Sequence, residues 1–477
     1  MERLEILPEQ LRQHWEKFRD CFKTRTRDSS EQAYQYLRGQ LTMDKGRNYA
    51  GIARQTAGND GQSMQHFMSN SPWSGQSVYE RIQADIANTP ELSQGSFLIL
   101  DESADEKADI HSAGSLRQYN GRFGKVDICQ VSVLLGYANW RNSPWTTWAM
   151  VDSALFLPEE WFTPDFEQAR QQLGIREERQ FQTKAELGLE MIRRAKAHGL
   201  PFEALACDDL YGRDGHFRAE LAREEITYFA DVPKNTRVYL ERPQIGVPEK
   251  TTSTGRPKSE LKVLNGLQSY RVDQVARKAD TLWQRLFIRH NERGVLEDDF
   301  SARRVWTWSS GQSEAREEWL VLRIERNRDH TYLLSNAPAD TSLGQLAEGA
   351  CARYFVERVI QDAKEENGWD EFQAQKYLGW EHHTALTACA LWFIAQTKLS
   401  WAKEVTRDPQ LAQQLEVEVL PALSTANVRE MLKAVLPLPQ LSPEEARAQV
   451  VKHLVNRSRS TASRLRRRHR KNVKVQT

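Results

Sequence analysis

Ser96-Phe-Leu-Ile-Leu-Asp101 is an apolar run that ends in a carboxylate, and its length and composition predict a buried β-strand. Four further strand-like runs follow it along the chain, at 126–138, 147–157, 202–208 and 227–232. Helical patterns separate the last three of these runs, at about 184–198 and 217–223. The order strand-strand-strand-helix-strand-helix-strand predicts an α/β domain built on a mixed sheet.

This element order is that of an RNase H-like domain, and the sequence around it predicts further regions. The 477 residues exceed what one compact core holds, so several domains or sub-domains are expected. Residues 1–94 are predicted to form a helical DNA-binding region, and residues 95–233 the first part of the RNase H-like core. A β-rich insertion is predicted at 234–345. The core resumes at 346–395 with a glutamate-bearing helix and the helix after it, and 396–477 form a helical C-terminal region with a basic tail.

Composition indicates a globular protein, with 39% hydrophobic and 27% charged residues. No apolar run approaches the roughly 20 residues that span a bilayer, and the first residues lack the order of a secretory signal. The five cysteines have no Cys-x-x-Cys spacing, which argues against a zinc ribbon and a disulfide framework. We therefore expect a cytoplasmic protein with no membrane partner.

Basic residues are concentrated at the C-terminal end. Residues 453–477 contain no acidic residue and nine cations, which are Arg457, Arg459, Arg464, Arg466, Arg467, Arg468, Arg470, Lys471 and Lys474. Because the whole chain has a net charge of +1, the rest of it carries −8. Such a basic end on an acidic body predicts binding to phosphates, with a solubilising tail as the alternative.

The N-terminal region contains two short helical patterns, at 48–56 and 63–70, across a Gly-Asn-Asp-Gly turn. This arrangement is typical of a helix-turn-helix, which predicts contact with DNA. Any other hairpin of two helices would give a similar pattern, so the alternative stays open.

The stretch Arg353-Tyr-Phe-Val-Glu357-Arg-Val-Ile-Gln-Asp-Ala-Lys364 contains a carboxylate, Glu357, that is flanked along the chain by the cations Arg353 and Lys364 at helical spacing. At about 100° per helical residue, Arg353, Glu357 and Lys364 share one face of the predicted helix. The carboxylate is suited to a metal ion and the two cations to phosphates. The alternative is a solvated face joined by salt bridges.

Two more carboxylates, Asp101 and Asp208, each end a predicted strand, and the two strands are expected to be neighbours. With Glu357 they offer three hard oxygen donors, which suit Mg²⁺ or Mn²⁺. Two such ions would serve an in-line phosphoryl displacement. Each aspartate could instead be a cap residue, and nearby substitutes are Asp209, Glu102, Asp105 and Glu365. Adjacent His382 and His383 point about 100° apart and are not expected to share an ion.

Together these segments resemble the DDE transposases of bacterial insertion sequences, over roughly residues 30–395. The branch with a Tyr-x-x-Arg-x-x-x-Glu-x-x-x-x-x-x-Lys signature fits best, because Arg353, Glu357 and Lys364 match it at every spacing, whereas Ala350 replaces the tyrosine. The other similar stretches are 98–103, 117–130, 206–212, 232–237, 333–340, 368–373 and 379–383.

The resemblance implies an enzyme that binds the terminal inverted repeats of its element, cleaves DNA and joins the 3′ ends to a target. Asp101, Asp208 and Glu357 would be its catalytic triad and would hold two Mg²⁺ or Mn²⁺ ions. It also implies a homodimer on double-stranded DNA in the bacterial cytoplasm, at the nucleoid. An aromatic residue of the insertion, Tyr332 or Trp319, would hold a flipped base. The alternatives are an RNase H-like nuclease without strand transfer and an inactive DNA-binding relative.

Overall fold

The computed structural model describes residues 6–55, 61–121, 123–141, 146–248, 260–291, 294–404 and 423–436, and scattered positions between 444 and 466. The N-terminal helices are α1 (Leu7–Phe18), α2 (Ser30–Thr42), α3 (Tyr49–Arg54), α4 (Gln62–Ser69) and α5 (Gly75–Ala87). The core that follows comprises β1 (Ser96–Glu106), β2 (Leu116–Asn120), β3 (Lys125–Asn139), β4 (Thr147–Phe156), α6 (Glu167–Leu173), α7 (Lys184–Ala197), β5 (Ala204–Cys207), α8 (Asp209–Gly212), α9 (Gly215–Arg223) and β6 (Tyr228–Asp231).

The second half of the chain begins with short strands and one short helix, β7 (Arg237–Val238), β8 (Ile245–Gly246), β9 (Lys262–Val263), β10 (Tyr270–Arg271) and α10 (Val272–Ala276). Four longer strands follow, β11 (Gln284–Asn291), β12 (Gly294–Thr307), β13 (Arg316–Ile324) and β14 (His330–Ser335). The last elements are α11 (Leu343–Ala350), α12 (Tyr354–Gln361), a π-helical turn (Asp362–Glu366), α13 (Tyr377–Glu404) and α14 (Thr425–Val435).

One mixed sheet of ten strands organises the fold. Its order is β11-β12-β13-β14-β6-β5-β1-β3-β2, with β4 also paired to β3. Strand β1 runs parallel to β5 and antiparallel to β3, and β5 runs parallel to β6. The predicted α/β, RNase H-like fold with a mixed sheet is therefore confirmed, as is the predicted neighbourhood of the first and fourth core strands.

The strands of the predicted insertion continue the core's own sheet. Strand β14 pairs antiparallel with β6 through Leu333 and Asp231, and β11 to β13 extend the sheet beyond β14. A separate small cluster, which includes Val238, Val272 and Leu320, packs the segment around β7 and β10 against β13. The region boundaries expected at 234 and 345 stay a prediction.

Helices pack on the sheet through the predicted apolar stripes. Helix α7 buries Leu187, Met191, Ile192 and Ala195, and α12 buries Phe355, Val356 and Val359. The two helices predicted as a helix-turn-helix, α3 and α4, are present, and they bury Ile52, Met64 and Phe67 in the main core. Residues 56–60 of the turn between them lie outside the described residues. Within the described residues, no helix is long and apolar enough to cross a membrane.

Local structure differs from the sequence expectation at two places near the site. Strand β1 does not end at Asp101 but continues to Glu106, because backbone pairing with β3 extends through Cys129. The predicted helix 353–364 is also not continuous. Helix α12 begins at Tyr354, and its last predicted turn is the π-helical turn. Buried Asp362 holds that turn by accepting hydrogen bonds from Trp148 Nε1 at 2.9 Å and from Thr425 Oγ1 at 2.6 Å.

Candidate active site

Three aspartates lie side by side on three neighbouring strands of the sheet. Leu100 pairs with Cys207, and Cys207 pairs with Ala230. The residues that follow Leu100, Cys207 and Ala230 in the chain are Asp101, Asp208 and Asp231. Residues at matching positions on neighbouring parallel strands point to the same face of the sheet, so the three aspartates share one face. Since neighbouring strands lie about 4.8 Å apart, the three carboxyl groups form a row across β1, β5 and β6.

Helix α12 covers this face of the sheet and supplies one cation and one carboxylate. Arg353, the residue before the helix, donates from Nη1 to Asp101 Oδ2 at 3.2 Å and from Nη2 to Glu357 Oε1 at 3.3 Å. Its Nε lies 3.1 Å from Asp231 Oδ2. One guanidinium therefore joins three carboxylates from β1, β6 and α12. Arg353 thus links Asp101 to Glu357, and Asp208 neighbours Asp101 in the row; the triad of Asp101, Asp208 and Glu357 stays a prediction.

The aspartates have perturbed acidity. Burial raises the pKa of Asp101 to about 7, and the nearby charge of Asp208 adds to the shift. Burial also raises the pKa of Asp208 to about 6, with contributions from Glu102 and Asp209. The pKa of Asp231 rises to about 7, chiefly through burial, although Arg353 opposes the shift. These carboxyl groups are crowded, and one guanidinium does not neutralise them all.

Glu357 and Lys364 occupy different surroundings. The Glu357 side chain is 58% exposed and faces Arg353 one helical turn away. Lys364, in the π-helical turn, donates from Nζ to the carbonyl oxygen of Ala104 at 2.8 Å. Arg353 and Glu357 therefore meet as the predicted common face requires, whereas Lys364 lies against β1, three residues beyond Asp101.

The substitute carboxylates have partners of their own. Asp209 pairs with Arg213 at 2.8 Å, and Glu102, on the opposite side of β1 from Asp101, pairs with Lys184 at 2.6 Å. The other two substitutes also have partners, Lys107 for Asp105 and Gln361 for Glu365. Asp208 also has the cap role that the alternative reading expected, since its Oδ1 accepts a hydrogen bond from Leu210 N at 3.0 Å.

The comparison with known families bears on this geometry. The DDE superfamily endonucleases match the chain over residues 17–295, which is more than half of its length. The chain belongs to this family of DDE superfamily endonucleases. It is also similar to the probable transposase for insertion sequence element IS701 of Microchaete diplosiphon, with 23% identity over 356 residues. The similar part covers 73% of this chain and 78% of that relative.

The family match includes two of the three predicted triad residues. Asp101 and Asp208 lie inside the matched residues 17–295, and so does Asp231. Glu357, Arg353 and Lys364 lie beyond them, so their assignment rests on the geometry of α12 against β1. The tyrosine-arginine-glutamate-lysine branch within the DDE endonucleases stays a prediction.

The donor set of this DDE endonuclease suits a hard divalent cation. Asp101, Asp208 and Glu357 provide carboxylate oxygens alone, which Mg²⁺ and Mn²⁺ prefer. The carboxyl groups are crowded, and the pKa values of Asp101 and Asp208 are raised. A bound cation would therefore stabilise the ionised carboxylates. In the described part of the chain, no three acidic, histidine or cysteine side chains are already arranged to hold an ion. Arg353 stands between Asp101 and Glu357 instead.

The two aromatic residues expected to hold a flipped base lie on opposite faces of the sheet. Tyr332 pairs with Leu322 and packs against the cluster around β7, whereas Trp319 packs against the main core; both side chains are partly buried. Tyr332 lines a cleft of about 450 Å³ with Asp209, Asp231, Val232, Lys234, His330 and Thr331. The Trp319 indole donates to the Pro338 carbonyl oxygen at 3.0 Å. The Tyr332 cleft therefore reaches the aspartate row at Asp231.

The cationic tail is mostly outside the described residues. Of the predicted DNA-binding cations there, Arg466 is described and is exposed. The others, Arg464, Arg467, Arg468, Arg470 and Lys471, lie outside the described residues.

Sequence reasoning missed Asp231 as a member of the site. The sequence held a partial signal, because Asp231 follows the apolar residues of the run 227–232 much as Asp208 follows those of its own strand. The adjacent histidines are both buried and take part in hydrogen bonds within the core. His383 Nδ1 lies 2.7 Å from the Tyr36 hydroxyl, and both ring nitrogens of His382 face backbone carbonyl oxygens.

Proposed function

We propose that this DDE endonuclease is the transposase of an insertion sequence. It binds the terminal inverted repeats of its element, cleaves the DNA by phosphoryl transfer that depends on two Mg²⁺ or Mn²⁺ ions, and joins the freed 3′ ends to target DNA. The observation that carries the proposal is the Arg353 guanidinium, which brings Asp101 and Glu357 together beside Asp208. The similarity to the probable IS701 transposase supports it.

Each proposed role follows from the position of the side chain. Asp101, Asp208 and Glu357 hold the divalent cations, with Asp208 rather than Asp209 as the second aspartate, because Asp208 continues the row from Asp101. When bound, the ions supply Lewis acidity at the scissile phosphate and at the attacking oxygen. Arg353 and Lys364 then bind phosphates on either side of the cut.

The DNA is held by several parts of the protein in this proposal. The Tyr332 cleft accepts a base beside Asp231, at one end of the aspartate row, and the cations of the tail bind backbone phosphates along the duplex. Joining two ends of one element requires two active sites, so the working form is a homodimer on DNA. The branch with the tyrosine-arginine-glutamate-lysine signature is part of the same proposal.

A strand-transfer assay tests the function. The purified protein is incubated with Mg²⁺ and oligonucleotides that carry the inverted repeats flanking its own gene, together with a supercoiled target plasmid. Joined products with the 3′ end of the repeat linked to plasmid DNA are expected. Cleavage without joining would indicate a nuclease instead, and binding without cleavage would indicate an inactive relative. Oligonucleotides with scrambled repeats provide the control.

A further inference from the structure

Asp231 belongs to none of the roles proposed above, yet it binds the same guanidinium as Asp101 and Glu357. Its Oδ2 lies 3.1 Å from Arg353 Nε, whereas Asp101 and Glu357 take the two Nη atoms at 3.2 and 3.3 Å. Asp231 thus holds one edge of the guanidinium, and the two carboxylates proposed as metal ligands hold the other.

The position of Asp231 is fixed by the sheet. Asp231 is the last residue of β6 and pairs with Leu333 of β14. The preceding residue, Ala230, pairs with Cys207 of β5. The Asp231 side chain is 24% exposed and faces the site from the strand beyond Asp208. A carboxylate on a rigid central strand is well suited to orient a long, flexible arginine side chain.

At the proposed metal site, Arg353 and divalent cations would compete for the carboxylate oxygens of Asp101 and Glu357. While Arg353 is bound to Asp101 and Glu357, those two carboxylates are less available to a metal ion. A third carboxylate that binds the guanidinium by a different edge reduces this competition, because Arg353 keeps an anionic partner when the other two are withdrawn.

We propose that Asp231 is a positioning residue for Arg353, a role that rests on the proposed function. Asp231 keeps its ion pair with Nε of Arg353. Asp101 and Glu357 can then release the two Nη atoms and bind divalent cations, and the released Nη atoms can bind a DNA phosphate. Asp231 thereby lowers the free-energy cost of replacing the ion pairs of Arg353 with Asp101 and Glu357 by metal coordination.

Binding of Mn²⁺ to the DNA-free full-length protein, measured by isothermal titration calorimetry, tests this role. In Asp231→Asn, Arg353 depends on Asp101 and Glu357 alone, and we expect Mn²⁺ to bind about tenfold more weakly than in the wild type. In Arg353→Ala, the competitor is gone and Mn²⁺ should bind more tightly. The double variant should match Arg353→Ala, because Asp231 acts only through Arg353.

Two variants separate positioning from a structural role. Asp231→Glu keeps the charge and should bind Mn²⁺ within about threefold of the wild type. Asp231→Ala, with the same expected loss, replaces Asp231→Asn if the asparagine variant does not fold. The matched control is Asp299→Asn in β12, which breaks the ion pair with Arg285 at 3.0 Å in the same sheet and should leave Mn²⁺ binding unchanged.

The outcomes distinguish this role from the proposed function. If Asp231→Asn weakens Mn²⁺ binding equally with and without Arg353, Asp231 does not act through the arginine and the positioning role is overturned alone. If the wild type binds no Mn²⁺, or Asp208→Asn binds it normally, the proposed metal site itself is wrong.

Discussion

Arg353 Nη1 lies 3.2 Å from Asp101 Oδ2, although 252 positions separate the two residues in the chain. This ion pair fastens the start of helix α12 to the middle of strand β1. It brings Glu357, which lies beyond the residues matched by the family, to the aspartates that lie within them.

Lys364 is predicted to contribute one phosphate contact beside the aspartate row. Replacement by alanine removes a cation that lies against Ala104 of β1, so binding of end-sequence DNA should weaken, and the slope of log K against log salt should fall by about 1. Fluorescence anisotropy at several salt concentrations measures both quantities. Lys376→Ala is the control. Lys376 Nζ donates a hydrogen bond to Asn70 Oδ1 at 2.6 Å, and neither residue belongs to the proposed site. An equal loss in both variants would contradict the assignment.

Tyr332 and Trp319 are predicted to behave differently, because they lie on opposite faces of the sheet. Tyr332→Ala should lower cleavage of end-sequence DNA, and it should abolish the fluorescence rise of a 2-aminopurine placed near the cut, while stability changes little. Trp319→Ala removes a partly buried ring that packs against the main core, so it should lower the unfolding free energy by less than the roughly 3 kcal/mol that loss of a fully buried ring costs. A 2-aminopurine signal that depends on Trp319 but not on Tyr332 would reverse the assignment.

His383 is predicted to weaken the fold in acid. Burial lowers its pKa from 6.5 to about 4, so the unfolded chain takes up a proton below pH 6.5 while the folded protein does not. Its contribution to stability is complete above pH 6.5 and is lost as the pH falls towards 4. The loss amounts to about 1.4 kcal/mol per pH unit within that window.

Urea unfolding of the wild type and of His383→Asn at pH 7, 6 and 5 measures this contribution. The difference in unfolding free energy between the two proteins should shrink as the pH falls. The buried aspartates of the site have raised pKa values and act with the opposite sign, but they are common to both proteins and cancel in the difference. A difference that stays constant with pH would show that His383 does not titrate in this way.

Deletion of residues 457–477 is predicted to weaken DNA binding for all sequences alike. The segment supplies nine cations and no acidic residue, so its loss should reduce the salt slope without changing preference among sequences. Competition of end-sequence and random duplexes for the truncated and complete proteins provides the measurement. A selective loss of affinity for the end sequence would mean that the tail reads bases.

The core fold could be predicted from sequence because strands β1, β3, β4, β5 and β6 coincide with largely apolar segments of the chain. Strand β2 was missed, since Leu116–Asn120 is mostly polar and is held as a strand by its pairing with β3. The end of β1 was placed too early for the same reason. Backbone pairing with a neighbour continues where apolar composition stops.

The site was predictable in part. Glu357 and Arg353 share a helical face that spacing alone reveals, and strand-end aspartates follow from hydrophobicity. The π-helical turn at Asp362–Glu366 and the row formed by Asp231 depend on tertiary contacts, which a linear pattern does not contain. Pairing of β6 with β5 brings Asp231 beside Asp208, and no local property of residues 227–231 specifies that neighbour.

The central claim is that Asp208, in the row with Asp101, is part of a metal-dependent cleavage site. The most direct test is cleavage of end-sequence DNA in Mg²⁺ by Asp208→Asn and, as its matched control, Asp209→Asn, with DNA binding measured in parallel. We predict that Asp208→Asn binds DNA but cleaves it more slowly by a factor of roughly 10³ or more, while Asp209→Asn stays near the wild-type rate. Normal cleavage by Asp208→Asn would contradict the account.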